Sequence, residues 1–358
     1  DGQRRFLIQV ARRTWHFFET FVGPGDNWLP PDNYQHNHHE EIAHRTSPTN
    51  IGMFLVSALA ARDMGFITTN DFLTRSRNAV DTLGRMTMYR GHILNWYETR
   101  TLEPLEPQYV STVDSGNLAV SLIALKHGCL ELADQPAIGG ACFGCLSTTF
   151  DLLVIAIHEL QDFDEGELNR IEWAIRTLID QAKGAPLAWK SIIAELNGNC
   201  WLDLETLVRD AIQNTPDALD SQIAEITTWL DRYQHDLHAI GRDIDGFMPW
   251  LSVIAAAPPE RIPLAEDILK ELQPANPKSK TAVFEKITAR LESCDANAEP
   301  LKAFLTEMQQ ALQDVFARQA ALRDGLIALA DEAETIAYGM DFAFLYDPTV
   351  RLFTIGYN

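Results

Sequence analysis

The stretch His44-Arg45-Thr46-Ser47-Pro48-Thr49-Asn50-Ile51 decides the fold class, because it opens a helix in an identifiable way. Ser47 is a side-chain cap and Pro48 suits the first helical turn; the apolar run that follows reaches Met64 before Gly65 stops it. Before this stretch, Phe6, Val10, Trp15, Phe17, Phe18 and Phe21 recur at near-helical spacing up to Gly23-Pro24-Gly25, which predicts an amphipathic helix. After it, a third helix is predicted over Thr69 to Arg85, capped by Thr69 or Asn70. A fourth begins after Thr112 or Ser115, runs through Leu118 to His127 and closes at Gly128. Long polar loops follow the first and third helices. That pattern fits stacked helix hairpins whose loops gather at one end, as in an (α/α) toroid, and fits an ordinary helical bundle equally well.

From about Leu130 the style changes. Phe150 to Gln161, Glu165 to Gln181, Trp201 to Asn214, Ser221 to Gly241, Leu264 to Leu272, Thr281 to Ser293 and Ala298 to Tyr338 read as polar-faced helices. They are broken by Pro136, Pro186, Pro216, Pro258-Pro259, Pro274 and Pro277. Trp201, Trp229 and Trp250 sit singly in these patterns and read as core anchors. The segment Asp341 to Gly356 turns strand-like, with one short hairpin expected. The predicted organisation is therefore mainly α: first helices over 1–135, a helical insertion over 136–337, and a return over 338–358.

Composition narrows the function. The chain has 358 residues and a formal net charge of −21, a single-sign field that repels phosphate backbones and anionic lipid. No nucleic-acid partner is expected, and neutral ligands are favoured. The longest apolar runs, Met53 to Ala61 and Leu152 to Ile157, fall short of the roughly 20 residues a membrane span needs. Five cysteines, Cys129, Cys142, Cys145, Cys200 and Cys294, are irregularly spaced, which argues for reduced thiols and against a disulfide scaffold. The Cys142-Phe143-Gly144-Cys145 pair has no second pair to complete a zinc site, and His36, His38, His39 and His44 have the spacing of adventitious metal capture, so neither metal nor cofactor is expected. The chain opens without Met or a leader and closes on an apolar run, so both ends read as excision points in a longer polypeptide.

Four blocks crowd the first third: Asn27 to Asn33, His44 to Asn50, Gly91 to Thr99 and Tyr109 to Asn117. Each mixes carboxylates, amides, hydroxyls and aromatic rings near a loop-to-helix junction. Sugars call for that palette, because pyranose C–H faces stack on indole and phenol rings while their hydroxyls pair with Asp, Asn and Arg.

The strings Asn27 to Asn33 (NWLPPDN), His44 to Gly52 (HRTSPTNIG), Gly91 to Leu105 (GHILNWYETRTLEPL), Tyr109 to Ala119 (YVSTVDSGNLA) and Met340 to Tyr357 (MDFAFLYDPTVRLFTIGY) resemble the central region of cyclic β-1,2-glucan synthases. The resemblance is strong over 1–135 and 338–358 and weak between. It implies a three-part parent in the bacterial inner membrane, in which a glycosyltransferase elongates β-1,2-glucan from UDP-glucose and a phosphorylase-like region trims it. Between them, a cytoplasmic glucoamylase-like (α/α)6 domain closes the ring by inverting transglycosylation. This chain resembles the first part of that central domain with its helical insertion. The resemblance places the catalytic glutamates beyond Asn358, so the isolated chain is expected to be soluble and inactive. At Glu98 the family more often has Asp, which keeps a carboxylate.

The candidate substrate-binding residues are Trp28, Asp32, Asn33, Arg45, Asn50, Tyr97, Glu98 and Asp114. Trp28, Asp32 and Asn33 flank the stiff Pro30-Pro31 pair, either as a glucose platform and hydroxyl clamp or as a packed loop with Asp32 capping a turn. Arg45 either holds a carboxylate such as Asp32 or Asp114, or makes a surface ion pair worth under about 1 kcal/mol. Glu98 and Asp114 are weak candidates for an acid–base pair, which in an inverting enzyme stands roughly 6.5 to 9.5 Å apart; Asp114 is otherwise a helix N-terminal acid. Besides the cyclising role, two further functions fit the sequence. One is a non-catalytic helical module docking the elongating and trimming domains; the other is a stand-alone glycosidase using Glu98 and Asp114.

Overall fold

The computed structural model describes residues 2–35, 41–160, 162–257, 277–293 and 299–358. His36, His38, His39, Cys294, the prolines 258, 259 and 274, and the helix expected at Leu264 to Leu272 lie outside the described residues. The chain is mainly helical, as the sequence predicts, with a few strand pairs of two residues each. It divides into two compact units. One comprises Val10–Asp63, Thr69–Asp134 and Leu322–Asn358; the other comprises Asp1–Gln9, Met64–Thr68 and Gln135–Ala321.

The unit that begins at Val10 is built on α1 (Gly2–Phe21, from Val10 onward), α2 (Pro48–Asp63), α3 (Thr69–Leu83) and α4 (Thr112–Ala133), together with the last part, from Leu322, of the long helix Glu299–Gly339. The α2 cap is the one the sequence predicts, since Ser47 Oγ accepts the Asn50 amide at 3.2 Å. Trp15 stacks on Phe54 of α2 with centroids 6.5 Å apart, and Phe18 lies 5.6 Å from the same ring. Both α2 and α4 carry apolar residues on every side and pack on each other, burying Ile51, Phe54, Leu55, Ala58, Leu118, Leu122 and Leu125.

Two readings of α4 need correction. Ser111 caps it, in place of Thr112 or Ser115, by accepting the Asp114 amide at 3.3 Å. Gly128 does not end it. A Cβ there would lie 2.5 Å from Leu59 Cδ2 of α2, so glycine at this position permits close helix approach and the helix continues to Ala133.

Short antiparallel pairs decorate the loops of this unit. They are β1 (Tyr34–Gln35) with β2 (Glu41–Ile42), β3 (Arg45–Thr46) with β6 (Tyr97–Glu98), and β4 (Met88–Tyr89) with β5 (His92–Ile93). Two more involve the last segment: β7 (Val110–Ser111) with β10 (Gly356–Tyr357), and the expected terminal hairpin, β8 (Tyr346–Asp347) with β9 (Leu352–Phe353). The β4–β5 turn uses Arg90 at φ 50° and Gly91 at φ 81°, the two left-handed positions of a tight hairpin. His92 Nε2 lies 2.9 Å from the Asp341 carbonyl, and the Asp341 amide donates back to Arg90 at 3.1 Å. The Tyr89 ring stacks on Tyr357 at 5.6 Å and meets Phe344 edge-on.

The other unit holds α5 (Ala141–His158), α6 (Glu165–Gly184), α7 (Trp189–Glu195), α8 (Trp201–Asn214), α9 (Asp220–Phe247), α10 (Trp250–Ala255) and α11 (Pro277–Glu292). It also takes the part of α12 (Glu299–Gly339) up to Ala321. The sequence reading did not find α7, which is only seven residues long and joins α8 through a wide turn at Leu196–Cys200. By length and composition α5 is apolar enough to cross a membrane, longer than the apolar run read from sequence, and 67% of it is buried within the protein. It packs on α9, with Phe150 5.5 Å from Tyr233 and Thr149 Oγ1 donating to Asp236 at 2.7 Å. Trp229 and Trp250 are buried in the core, while Trp201 is half-exposed.

Candidate functional site

The site grows from the β3–β6 pair. Arg45 lies opposite Glu98 and Thr46 opposite Tyr97. Successive strand side chains point to opposite faces, so two sets separate. Thr46, Tyr97 and Thr99 turn inward and are fully buried; Arg45, Trp96 and Glu98 turn outward and are at least partly exposed.

On the outward side Asp32 is the hub. Its Oδ2 accepts Arg45 Nε at 3.2 Å, Arg45 Nη2 at 2.9 Å and Asn33 Nδ2 at 3.0 Å. Its Oδ1 accepts Asn50 Nδ2 at 3.4 Å. Asn50 belongs to the first turn of α2, and its neighbour Thr49 donates to Asp114 Oδ1 at 2.5 Å. Asn117, one turn along α4 from Asp114, donates to Thr49 Oγ1 at 3.0 Å. Two carboxylates from separate blocks are thereby tied to consecutive residues of one helix. The Arg45 guanidinium also stands 5.1 Å over the Trp96 ring. Asn33 Oδ1, beside this hub, is a buried acceptor with no hydrogen-bond partner among the described residues.

Glu98 serves its own turn. Partial burial pushes its carboxyl up, but hydrogen bonds from Arg100 Nε at 2.8 Å, the Arg100 amide at 2.9 Å and the Thr101 amide at 2.7 Å pull it below the usual carboxylate range. A carboxylate held ionised in this way is unsuited to donate a proton as a general acid.

Tyr97 is a core residue. Its hydroxyl donates to the Thr87 carbonyl and accepts the Leu94 amide at 2.9 Å, and burial pushes it up to about 12 against the pull of that amide. Its ring therefore underlies the site and offers a ligand no face. Trp28 is half-buried, with its amide bonded to the Gly23 carbonyl at 2.8 Å. Both Asn27 and Trp28 take left-handed backbone, at φ 51° and 61°. For a bulky residue that conformation costs on the order of 1–3 kcal/mol, strain of a kind that gathers at functional sites.

Beneath lies a network the sequence reading passed over. Asp26 Oδ1 accepts His44 Nδ1 at 2.7 Å and Thr99 Oγ1 at 2.5 Å, and the Thr99 amide donates to the His44 carbonyl at 3.0 Å. Asn27 Nδ2 reaches the carbonyls of Thr99 and Arg100 at 2.8 and 3.0 Å. These bonds fasten the Trp28 loop to β3–β6. Their only sequence signal was the presence of Asp26 in a Gly-Pro-Gly turn. Thr49, Trp96 and Asn117 stood inside the quoted blocks, and what singles them out is spatial neighbours, which spacing does not reveal.

Similarity to known proteins bears on the same region. A family model described as a protein of unknown function (DUF3131) matches residues 9–135, which include every candidate residue named above. Cyclic beta-(1,2)-glucan synthase NdvB of Rhizobium meliloti (strain 1021) is 33% identical over 359 residues, covering 98% of this chain and 10% of that enzyme. The chain thus spans about a tenth of the relative's length, and the likeness runs through both units. A match of that identity across nearly the whole chain makes this protein a relative of cyclic β-(1,2)-glucan synthase.

Proposed function

We propose that this chain supplies β-1,2-glucan subsites for ring closure by inverting transglycosylation within a cyclic β-1,2-glucan synthase, and that α1 to α4 are the first helices of an (α/α)6 toroid. The observation that carries this reading is the pair Asp32 and Asp114, joined through Thr49 and Asn50. Asp32 with Asn50, and Asp114 with Thr49 and Asn117, form two hydrogen-bonded clusters on consecutive residues of α2, and each contact can be exchanged for a sugar hydroxyl at little net cost. Arg45 adds directional donors, Asn33 an unused acceptor, and Trp28 an aromatic ring on a strained loop. The acidic field suits an uncharged glucan. Inverting transfer also needs an acid and a base on opposite faces of the scissile bond; Glu98, tied to Arg100 and Thr101, is assigned neither role.

The test is calorimetric titration of linear β-1,2-glucan into the wild-type chain, Asp32→Ala and Asp114→Asn. Binding by the wild type, weakened at least about tenfold in each variant with unchanged circular dichroism, is the expected result. Absence of binding by the wild type, or affinity indifferent to both substitutions, refutes the reading.

A second reading, a docking role for the helical unit between elongating and trimming domains, is favoured by large apolar side chains left at its surface, notably Trp173 at 71% exposure. Protection of Trp173 from oxidation on adding the neighbouring domains would support it.

A further inference from the structure

We propose that Trp96 is the face on which a pyranose ring stacks at this site, and that Arg45 is its displaceable cover. The inference rests on the sugar-binding reading above and adds to it a specificity-determining residue that neither the sequence nor the relative assigns. Trp96 immediately precedes β6; alternation continued back from that strand puts it with Glu98 on the side where Arg45 emerges from β3, while Tyr97 between them is sealed in the core. Trp96 is therefore a half-exposed aromatic ring next in the chain to a residue fixed in the core.

The open side is taken by the Arg45 guanidinium, 5.1 Å from the ring centroid. A sugar stacking on that face would bring C–H groups to about 4 Å from the indole, into the space the guanidinium fills. The two exclude each other. Arg45 can yield, since 52% of its side chain is exposed and, among the described residues, both of its guanidinium hydrogen bonds end on a single oxygen, Asp32 Oδ2. It can pivot about that oxygen without letting go, because Asn33 and Asn50 hold Asp32 independently. The pivot turns guanidinium N–H groups toward ligand hydroxyls, next to the unpartnered Asn33 Oδ1. An exposed cation–π contact is weak, so the sugar stack replaces it readily.

The experiment uses a linear β-1,2-linked glucooligosaccharide as the probe, with calorimetry for affinity and indole emission for the ring. Trp96→Ala should weaken binding about tenfold and Trp96→Phe by less. The emission change that sugar causes in the wild type should be missing from Trp96→Phe, a variant whose circular dichroism should match the wild type and which decides the matter if Trp96→Ala misfolds. In Arg45→Ala the ligand-free emission should already resemble that of the sugar-bound wild type. Unchanged affinity in both Trp96 variants, alongside loss of binding in Asp32→Ala, overturns this inference and leaves the sugar-binding reading standing. Failure of the wild type to bind the oligosaccharide overturns both.

Discussion

Asp26 and Asp32 sit six residues apart and take opposite parts. Asp26 receives a histidine and a threonine from two different loops on one oxygen, and the threonine is wholly buried. Replacing it by alanine strands both donors, so Asp26→Ala should cost about 2 kcal/mol, read as a lower urea midpoint with an unchanged slope. Asp32 instead accepts from a half-exposed arginine and from the side-chain amides of Asn33 and Asn50, contacts at a partly solvated carboxylate worth about 1 kcal/mol together in stability. Asp32→Ala should therefore lower the same midpoint less than Asp26→Ala does, while weakening glucan binding at least about tenfold. The contrast separates a residue that builds the loop from one that the loop presents. The sequence made Asp32 visible through its Pro-Pro neighbourhood. It hid Asp26, whose partners His44 and Thr99 come from other blocks and carry no spacing signal.

Among elements, the helices were legible because their stop and start signals are local chemistry. Ser47-Pro48 announces α2, and Gly65 lies just past its end. What failed was a signal with two physical meanings. Gly128 reads as a stop, yet in α4 it is a notch for Leu59, a role visible only once α2 is alongside. The cap of α4 fell one residue early for a similar reason, since Ser111, Thr112 and Ser115 are interchangeable on paper and strand pairing of β7 selects the first. Ser111→Ala should cost about 1 kcal/mol by thermal or urea unfolding, and Ser115→Ala should leave the helix start intact by amide exchange. A larger effect is expected in the β4–β5 turn. A Cβ on Gly91 would meet the Gly339 carbonyl oxygen at 2.2 Å, and alanine resists the φ of 81°. Gly91→Ala should therefore destabilise by at least about 2 kcal/mol, measured by urea unfolding.

For the molecule as a whole, buried acids foretell its response to alkali. Burial pushes Tyr97 and the Cys129 thiol each up to about 12, from ordinary values of 10.0 and 9.0, and raises Tyr233 still further. Above about pH 9 the unfolded chain sheds these protons while the folded chain keeps them, so the folded form binds more protons across the window. Stability from these groups is complete below about pH 9 and is lost progressively as pH rises toward 12. Urea midpoints at pH 8, 10 and 11 should decline in that order, and Tyr97→Phe should lessen the fall between the last two. A flat profile would contradict the burial of these groups.

The pairing of β7 with β10 joins the cap of α4, and with it Asp114, to residues near the far end of the chain. His92 makes the same leap, meeting Asp341 across 249 positions. On a ribosome these partners emerge only after every helix of the other unit has been synthesised. The Asp32 hub, by contrast, needs nothing beyond Asn50, and the link to Asp114 nothing beyond Asn117. The site is thus completed in two instalments: a hub that forms early in translation, and the β7–β10 pairing beside the α4 cap, which forms only when residues 356 and 357 leave the exit tunnel.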